Sequence, residues 1–146
     1  MRGLIAIAAL MMSGATDAAI QRYAAPPFAG AAPPFSKAVR AGDMLYLSGV
    51  IGRTADGKVP EGIDAQTRAA MDDIGATLKG AGLGYGDVTH CTVFLTDMKN
   101  WPAFNKAYVG YFPAGQLPAR SAIGVTALAL PGALMEIECQ AYAGKK

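Results

Sequence analysis

The sequence predicts an α+β fold in a single domain. Three observations support this: strand-like segments flank two helical segments, hydrophobic residues make up 52% of the chain against 16% charged residues, and the chain has 146 residues. A chain of this length and apolar content buries a substantial core without disulfides or a metal. The predicted order, strand, strand, helix, strand, helix, strand, strand, is typical of α+β domains rather than of repeated βαβ units.

Residues 1–18 have the layout of a secretory signal peptide. Arg2 gives a positive start, residues 3–12 are almost wholly apolar, and Ala15 and Ala18 end stretches of small residues that suit cleavage. The apolar run is too short to cross a bilayer. We therefore expect residues 19–146 to form the domain, in the periplasm or secreted and free of the membrane. The alternatives are a buried N-terminal helix and a mis-assigned start codon, and in the second case the protein would be cytoplasmic.

The predicted elements begin after an extended arm. Residues 24–34 are rich in Ala and Pro, which argues against a helix or a central strand there. A short strand is predicted over 36–40, and a nearly continuous apolar strand over 44–51. Asp56 and Gly57 indicate a turn in the loop that follows.

The first helix is predicted over residues 63–79, with Asp64 as its N-cap and the glycines of 80–82 ending it. Four residues at helical spacing form its apolar stripe: Ala70, Met71, Ile74 and Leu78.

A strand over 88–96 alternates apolar and polar residues, so we expect one face to be buried. A second helix is predicted to begin at an Asn100 N-cap with Pro102 in its first turn, and Pro113 ends it. Strands over 121–126 and 134–142 complete the chain. The last of these places Glu136 and Glu138 on one face.

Charge and residue counts exclude several classes of function. The 13 basic and 11 acidic residues give a net charge of +2 without a basic cluster, which argues against nucleic acid as a partner. One His and two Cys cannot form a four-ligand zinc site or a Cys-x-x-Cys pair. His90 lies mid-strand without evident triad partners, and no glycine-rich phosphate loop follows a strand. We expect neither a metal nor a cofactor.

Cys91 and Cys139 both lie on apolar faces of predicted strands. Export to an oxidising compartment would permit a disulfide between them. Free cysteines are nevertheless among the most buried residues in proteins, so we expect two buried thiols.

Arg120 stands where a loop enters a strand that is otherwise apolar. Because an unpaired buried charge is costly, this guanidinium needs a partner. A glutamate of the last strand or the carboxylate of a ligand would each serve, and the planar guanidinium suits bidentate binding of either. The residues alone leave both alternatives open.

Several short segments occur together in one order between residues 34 and 141. They are residues 35–38, 45–49, 64–68, 92–98, 104–108 with 111–112, 118–121 and 136–138. With these segments at this spacing, the chain resembles the RidA family (YjgF/YER057c/UK114), which are small enamine and imine deaminases.

The resemblance implies a chorismate-mutase-like fold, with a six-stranded sheet packed on two helices. It also implies a homotrimer with ligand clefts between subunits. Arg120 would hold the carboxylate of a 2-imino acid, and Glu136 would position or activate water, giving a 2-oxo acid and ammonia. Gly49 and the Ser48 backbone would form the cleft floor, and Asn105 would lie near the cleft.

The sequence departs from the family pattern at several positions. Phe35 replaces a tyrosine, Ala122 replaces a frequent cysteine, and Val50 replaces a glutamine. One residue is also inserted before Glu136, so Glu138 is the alternative acid. Two functions therefore stay open: imine deamination, and a non-catalytic trimeric protein that binds small carboxylates. Holdase and ribonuclease roles are also reported within the family. No basic or exposed feature of this sequence supports either role.

Overall fold

One six-stranded sheet and two α-helices, with three short 3₁₀ turns, make up the regular structure of the part of the chain that the structure describes. In this computed structural model the described residues are 20–28 and 30–144, so the predicted signal peptide lies outside them. The strands are β1 (Gln21–Ala24), β2 (Ser36–Ala41), β3 (Met44–Leu47), β4 (Val88–Leu95), β5 (Ala119–Gly124) and β6 (Met135–Tyr142). The helices are α1 (Ile63–Gly80) and α2 (Trp101–Tyr108). The predicted α+β class, with six strands and two helices, is confirmed.

The strand order is β1-β2-β3-β6-β4-β5, and β4–β5 is the parallel pair in an otherwise antiparallel sheet. This order places β6, which carries Glu136 and Glu138, between β3 and β4. β5, which carries Arg120, lies at one edge of the sheet.

Three strands differ from the prediction, and one of them is β5, which spans Ala119–Gly124 instead of the predicted 121–126. The residues alone gave no strand over 21–24, yet β1 pairs with β2 at the other edge of the sheet. The predicted strand over 44–51 ends at Leu47, because the chain then leaves β2 and Val50 forms a separate bridge with Ile137 of β6. The Ser48 N–H still donates to the Lys37 carbonyl of β2 (3.1 Å), and both Ser48 and Gly49 line a cavity.

Both helix-cap predictions are wrong in detail. α1 begins at Ile63 after Gly62, whose φ of 82° suits glycine, and Asp64 in the first turn binds Arg68 rather than capping the helix. Asn100 has a helical backbone, so its side chain makes no capping hydrogen bond. Asp97 instead accepts a hydrogen bond of 2.9 Å from the Lys99 backbone N–H, at the short 3₁₀ turn that leads into α2.

The core lies between the helices and one face of the sheet. All four residues of the predicted α1 stripe are fully buried there. The buried Gln66 side chain connects α1 to the segment that leads into β6. Its amide donates to the carbonyls of Pro60 (2.9 Å) and Gly132 (3.0 Å), while its Oε1 accepts from the Leu134 N–H (2.7 Å). These bonds fix the start of the strand that carries Glu136.

Cys91 and Cys139 form a disulfide, so the expectation of two free thiols is wrong. The reason is the register of β4 and β6, which places the two residues directly opposite each other with their Cα atoms 4.1 Å apart. Strand alternation predicts that both residues are buried, but it does not reveal which residues of two strands face each other.

Neither helix of the described chain is long and apolar enough to cross a membrane.

Candidate active site

Glu136 and Arg120 point to opposite faces of the sheet. Glu136 pairs with Phe94 of β4 and alternates with the buried Met135 and Ile137, so it faces away from the helices. Arg120 pairs with the fully buried Cys91 and contacts the aromatic rings of α2, so it faces the helices. The two side chains therefore cannot meet at one site within a single chain.

Glu136 lines a cavity of about 430 Å³ that also contains Phe35, Ser48 and Gly49. The structure thus brings together four of the predicted site residues. The Ser48 hydroxyl donates a hydrogen bond of 2.7 Å to the Ser36 carbonyl. Residues 48 and 49 form part of the cavity wall. Phe35 is 55% exposed and has no hydroxyl to offer a ligand.

Gly49 is the residue against which the Glu136 carboxyl rests. A Cβ atom at this position would lie 2.0 Å from Glu136 Oε1, so only glycine allows this approach. Partial burial, and secondly the nearby Glu138, raise the pKa of the Glu136 carboxyl above its ordinary value. Glu138 points to the same face but is exposed and does not line this cavity.

Arg120 lies in a cup of three aromatic rings from α2. Its Cζ atom is 4.4 Å from the Trp101 ring centroid, 4.7 Å from that of Tyr108 and 5.8 Å from that of Phe104. Since it is closer to the two outer rings than to the middle one, Phe104 forms the base of the cup. These three residues, at spacings of three and four along α2, form one stripe of the helix. We refer to them as the aromatic cup.

Ring faces, rather than a carboxylate, surround the Arg120 charge. Arg120 makes no ion pair within residues 20–28 and 30–144, and its buried Nη1 atom lacks a hydrogen-bond partner there. Asn105 on the same helix also has a buried oxygen, Oδ1, without such a partner. Burial raises the pKa of Tyr108 to about 12, although the positive Arg120 opposes this shift. Arg120 as a whole is only half-buried, so the N–H groups that remain exposed can bind a ligand carboxylate.

Ala122 is the last of the predicted site residues, and His90 is the histidine that the sequence analysis did not place in a site. Ala122 is two residues after Arg120 on β5 and is half-buried on the same face. His90 lies between Ala119 and Gln140 in the sheet and pairs with no carboxylate in the described chain. No cluster of three or more His, Cys, Asp or Glu side chains suited to a metal occurs among the described residues.

Trp101 was missed by the sequence reasoning. The available signal was its position three residues before Phe104 and seven before Tyr108, on the apolar stripe of the second helix. That spacing predicts packing against the sheet. It does not predict that a charged residue of the edge strand lies on the same rings.

Comparisons with known proteins agree with this architecture. A family model described as Endoribonuclease L-PSP matches residues 25–143. The 2-iminobutanoate/2-iminopropanoate deaminase of Mus musculus is 37% identical over 113 residues, covering 76% of this chain and 82% of that protein. The Reactive Intermediate Deaminase A, chloroplastic, of Arabidopsis thaliana is 40% identical over 108 residues, or 73% of this chain. The match spans only 57% of the Arabidopsis protein.

Solved structures show the same fold. YyfA from Yersinia pestis, described as a protein of unknown function of the conserved Rid family, is 35% identical with a TM-score of 0.77. The match covers 85% of this chain and 99% of YyfA. Since the family model covers most of the sequence and relatives above 30% identity align over about three quarters of it, the chain belongs to the Endoribonuclease L-PSP family, that of the RidA (YjgF) proteins.

Proposed function

We propose that the protein hydrolyses reactive 2-imino acids, and their enamine tautomers, to 2-oxo acids and ammonia. Its mouse relative, 37% identical, is named for this type of reaction. The observation that carries the proposal is the state of Arg120, a positive group held by aromatic rings and unpaired with any acid of the described chain. A planar guanidinium in this state suits a small carboxylate, which every 2-imino acid provides.

In the proposed reaction, the substrate carboxylate binds Arg120 and the reacting carbon lies near Glu136. Protonation of the β-carbon of an enamine gives the iminium ion. Water adds to C2 of this ion while Glu136 takes one proton of the water, which leaves a neutral carbinolamine. Glu136 returns this proton to the nitrogen, ammonia leaves as the C2–oxygen double bond forms, and the hydroxyl proton passes back to Glu136. The raised pKa of Glu136 supports this role, because a carboxyl with a higher pKa is a better proton acceptor.

We propose that two copies of the chain build each site, within a homotrimer. Arg120 and Asn105 would come from one subunit, and Glu136, Gly49, Ser48 and Phe35 from its neighbour. The opposite orientation of Arg120 and Glu136 supports this arrangement. So does the sheet face that bears Glu136, since neither described helix packs on it and it exposes Tyr46 and Ile123 at 45% each.

Export to the periplasm or out of the cell is proposed as well, with residues 19–146 as the working domain. The disulfide supports export, because such bonds persist mainly in oxidising compartments.

The alternative is a protein that binds small carboxylates without turnover. One observation favours it: Phe35 lines the Glu136 cavity and brings an apolar ring there in place of a hydroxyl. Both functions need Arg120, but only the deaminase needs Glu136 for chemistry.

The two functions separate in an assay that couples an amino-acid oxidase, which generates the imine, to trapping as a semicarbazone. The deaminase should suppress semicarbazone formation from a neutral amino acid. Arg120→Ala should lose both suppression and binding of the product 2-oxo acid. Glu136→Gln should lose suppression and keep binding, because the carboxylate contact remains. Binding without any suppression by the wild type would establish the alternative.

A further inference from the structure

A second cavity adjoins the one that contains Glu136. It has a volume of about 540 Å³ and shares Phe28, Ile51, Arg53 and Asp73 with the first. Arg53 therefore stands in the wall between the two cavities, and it lines the same space as Glu136. Both volumes are within the range of about 300–1,000 Å³ that is usual for small-molecule sites.

The loop that carries Arg53 is held in a defined shape. The Thr54 N–H donates to the Lys58 carbonyl (2.9 Å), and the Gly57 N–H donates to the Thr54 carbonyl (2.8 Å). The Arg53 guanidinium lies over the Phe28 ring, with 4.5 Å between Cζ and the ring centroid. Phe28 is itself fixed by two backbone hydrogen bonds with Ala31, of 2.9 and 3.1 Å. An arginine presented from such a loop loses little freedom when it binds a ligand.

The charges around the Glu136 cavity leave Arg53 available. Lys37, the other basic residue of the lining, is paired with Asp73. Arg53 makes no ion pair within residues 20–28 and 30–144 and has only the Phe28 ring as a partner. Three acids line the two cavities, and none forms an ion pair with Arg53 within the described residues: Asp72 accepts from the Tyr111 hydroxyl (2.8 Å), Asp73 binds Lys37, and Glu136 rests against Gly49.

We infer that Arg53 binds a second carboxylate, at the far end of the ligand, and that the cavity selects dicarboxylic 2-imino acids. The turnover part of this inference rests on the proposed function. The α-carboxylate would bind Arg120, the reacting carbon would lie near Glu136, and the side-chain carboxylate would accept hydrogen bonds at the edge of the Arg53 guanidinium, whose face lies on Phe28. The binding part needs only the cavity and the unpaired Arg53.

Binding is tested first, with 2-oxoglutarate and 2-oxobutanoate as stable dicarboxylic and monocarboxylic probes in calorimetry. We expect 2-oxoglutarate to bind about tenfold more tightly than 2-oxobutanoate, because one additional charge-assisted hydrogen bond strengthens binding by about this factor. Arg53→Gln should remove that preference. Arg22→Gln should retain it, since Arg22 is an exposed arginine of β1 that lines neither cavity. Equal affinities in the wild type, or a preference that survives Arg53→Gln, would overturn the inference.

Turnover is tested with 2-iminoglutarate generated by a glutamate oxidase, against the imine of 2-aminobutanoate. The wild type should hydrolyse the dicarboxylic imine faster, and Arg53→Gln should lower that rate about tenfold while leaving the neutral imine within twofold. Equal losses on both imines would contradict selection by Arg53. If the wild type hydrolyses neither imine, the proposed function fails, and the calorimetric preference alone decides the role of Arg53.

Discussion

At the scale of single residues, the contact between Glu136 and Gly49 determines where the carboxyl lies. Gly49→Ala places a methyl group on the Glu136 carboxyl, a flexible side chain that can move away. We expect turnover to fall tenfold or more because a displaced catalytic group loses its alignment, while stability changes by less than about 1 kcal/mol. Imine turnover and thermal unfolding check the two halves of this prediction. Unchanged turnover would show that the position of Glu136 does not matter.

Glu136 should also make the stability of the folded protein depend on pH. Its folded-state pKa is raised, so the group favours the folded state below its ordinary pKa and loses that contribution as pH rises through the folded value. Glu136→Gln should therefore be more stable than the wild type at neutral pH, and the difference should disappear below about pH 4.3. Thermal melts across this range test it, and a less stable variant at neutral pH would contradict it.

Wild-type turnover should fall as pH drops through the raised pKa of Glu136, since only the ionised carboxylate accepts a proton.

Trp101 is expected to act as a positioning residue for Arg120. Trp101→Leu removes one wall of the aromatic cup, and cation–π contacts are worth about 0.5–2 kcal/mol. The dissociation constant of 2-oxobutanoate should rise several-fold, and KM should rise more than kcat falls. Trp101→Phe keeps a ring and should retain most of the affinity. A loss equal in both variants would point to a general packing defect instead.

At the scale of elements, α1 packs closely against Gly52 in the loop after β3. Gly52→Ala is therefore a matched control for Gly49→Ala. A Cβ atom at the buried Gly52 would lie 1.9 Å from the Gln66 backbone carbonyl, which the helix cannot move cheaply. Gly52→Ala should therefore destabilise the fold by about 1–3 kcal/mol. Chemical denaturation measures this loss. A stability equal to that of Gly49→Ala would show that the loop and α1 are not in firm contact.

The disulfide between β4 and β6 closes a loop across 48 positions of the sequence. Chain-entropy arguments assign such a loop about 2–4 kcal/mol of stability. The double variant Cys91→Ala/Cys139→Ala should lose stability in that range under oxidising conditions. Reducing agent should lower the stability of the wild type and leave the variant unchanged. An insensitive wild type would contradict a formed disulfide.

Local pattern predicted much of the fold and less of the site. The alternation of β4 and β6 and the stripe of α1 follow from local periodicity, and these predictions are confirmed. The strand pairing of β1, the facing positions of Cys91 and Cys139, and the stacking of Arg120 on Trp101 depend on residues far apart in the chain. Periodicity holds no information about such pairs, so they could not be predicted from it.

At the scale of the whole molecule, the two halves of the proposed site face away from each other in one chain. Arg120 lies against α2, and Glu136 lies on the uncovered face of the sheet. A second copy is therefore needed if both groups are to contact one substrate. Sedimentation should give a trimer, and a monomer that still hydrolyses imines would contradict the shared site.

The most direct test of the shared site mixes two inactive variants, Arg120→Ala and Glu136→Gln, by coexpression. Each variant alone should be inactive. In randomly mixed trimers about a quarter of the sites combine an intact Arg120 from one subunit with an intact Glu136 from the next, so about a quarter of the wild-type imine hydrolysis should return. No recovery from well-formed mixed trimers would contradict the account, because it would place both residues in a site built by one chain.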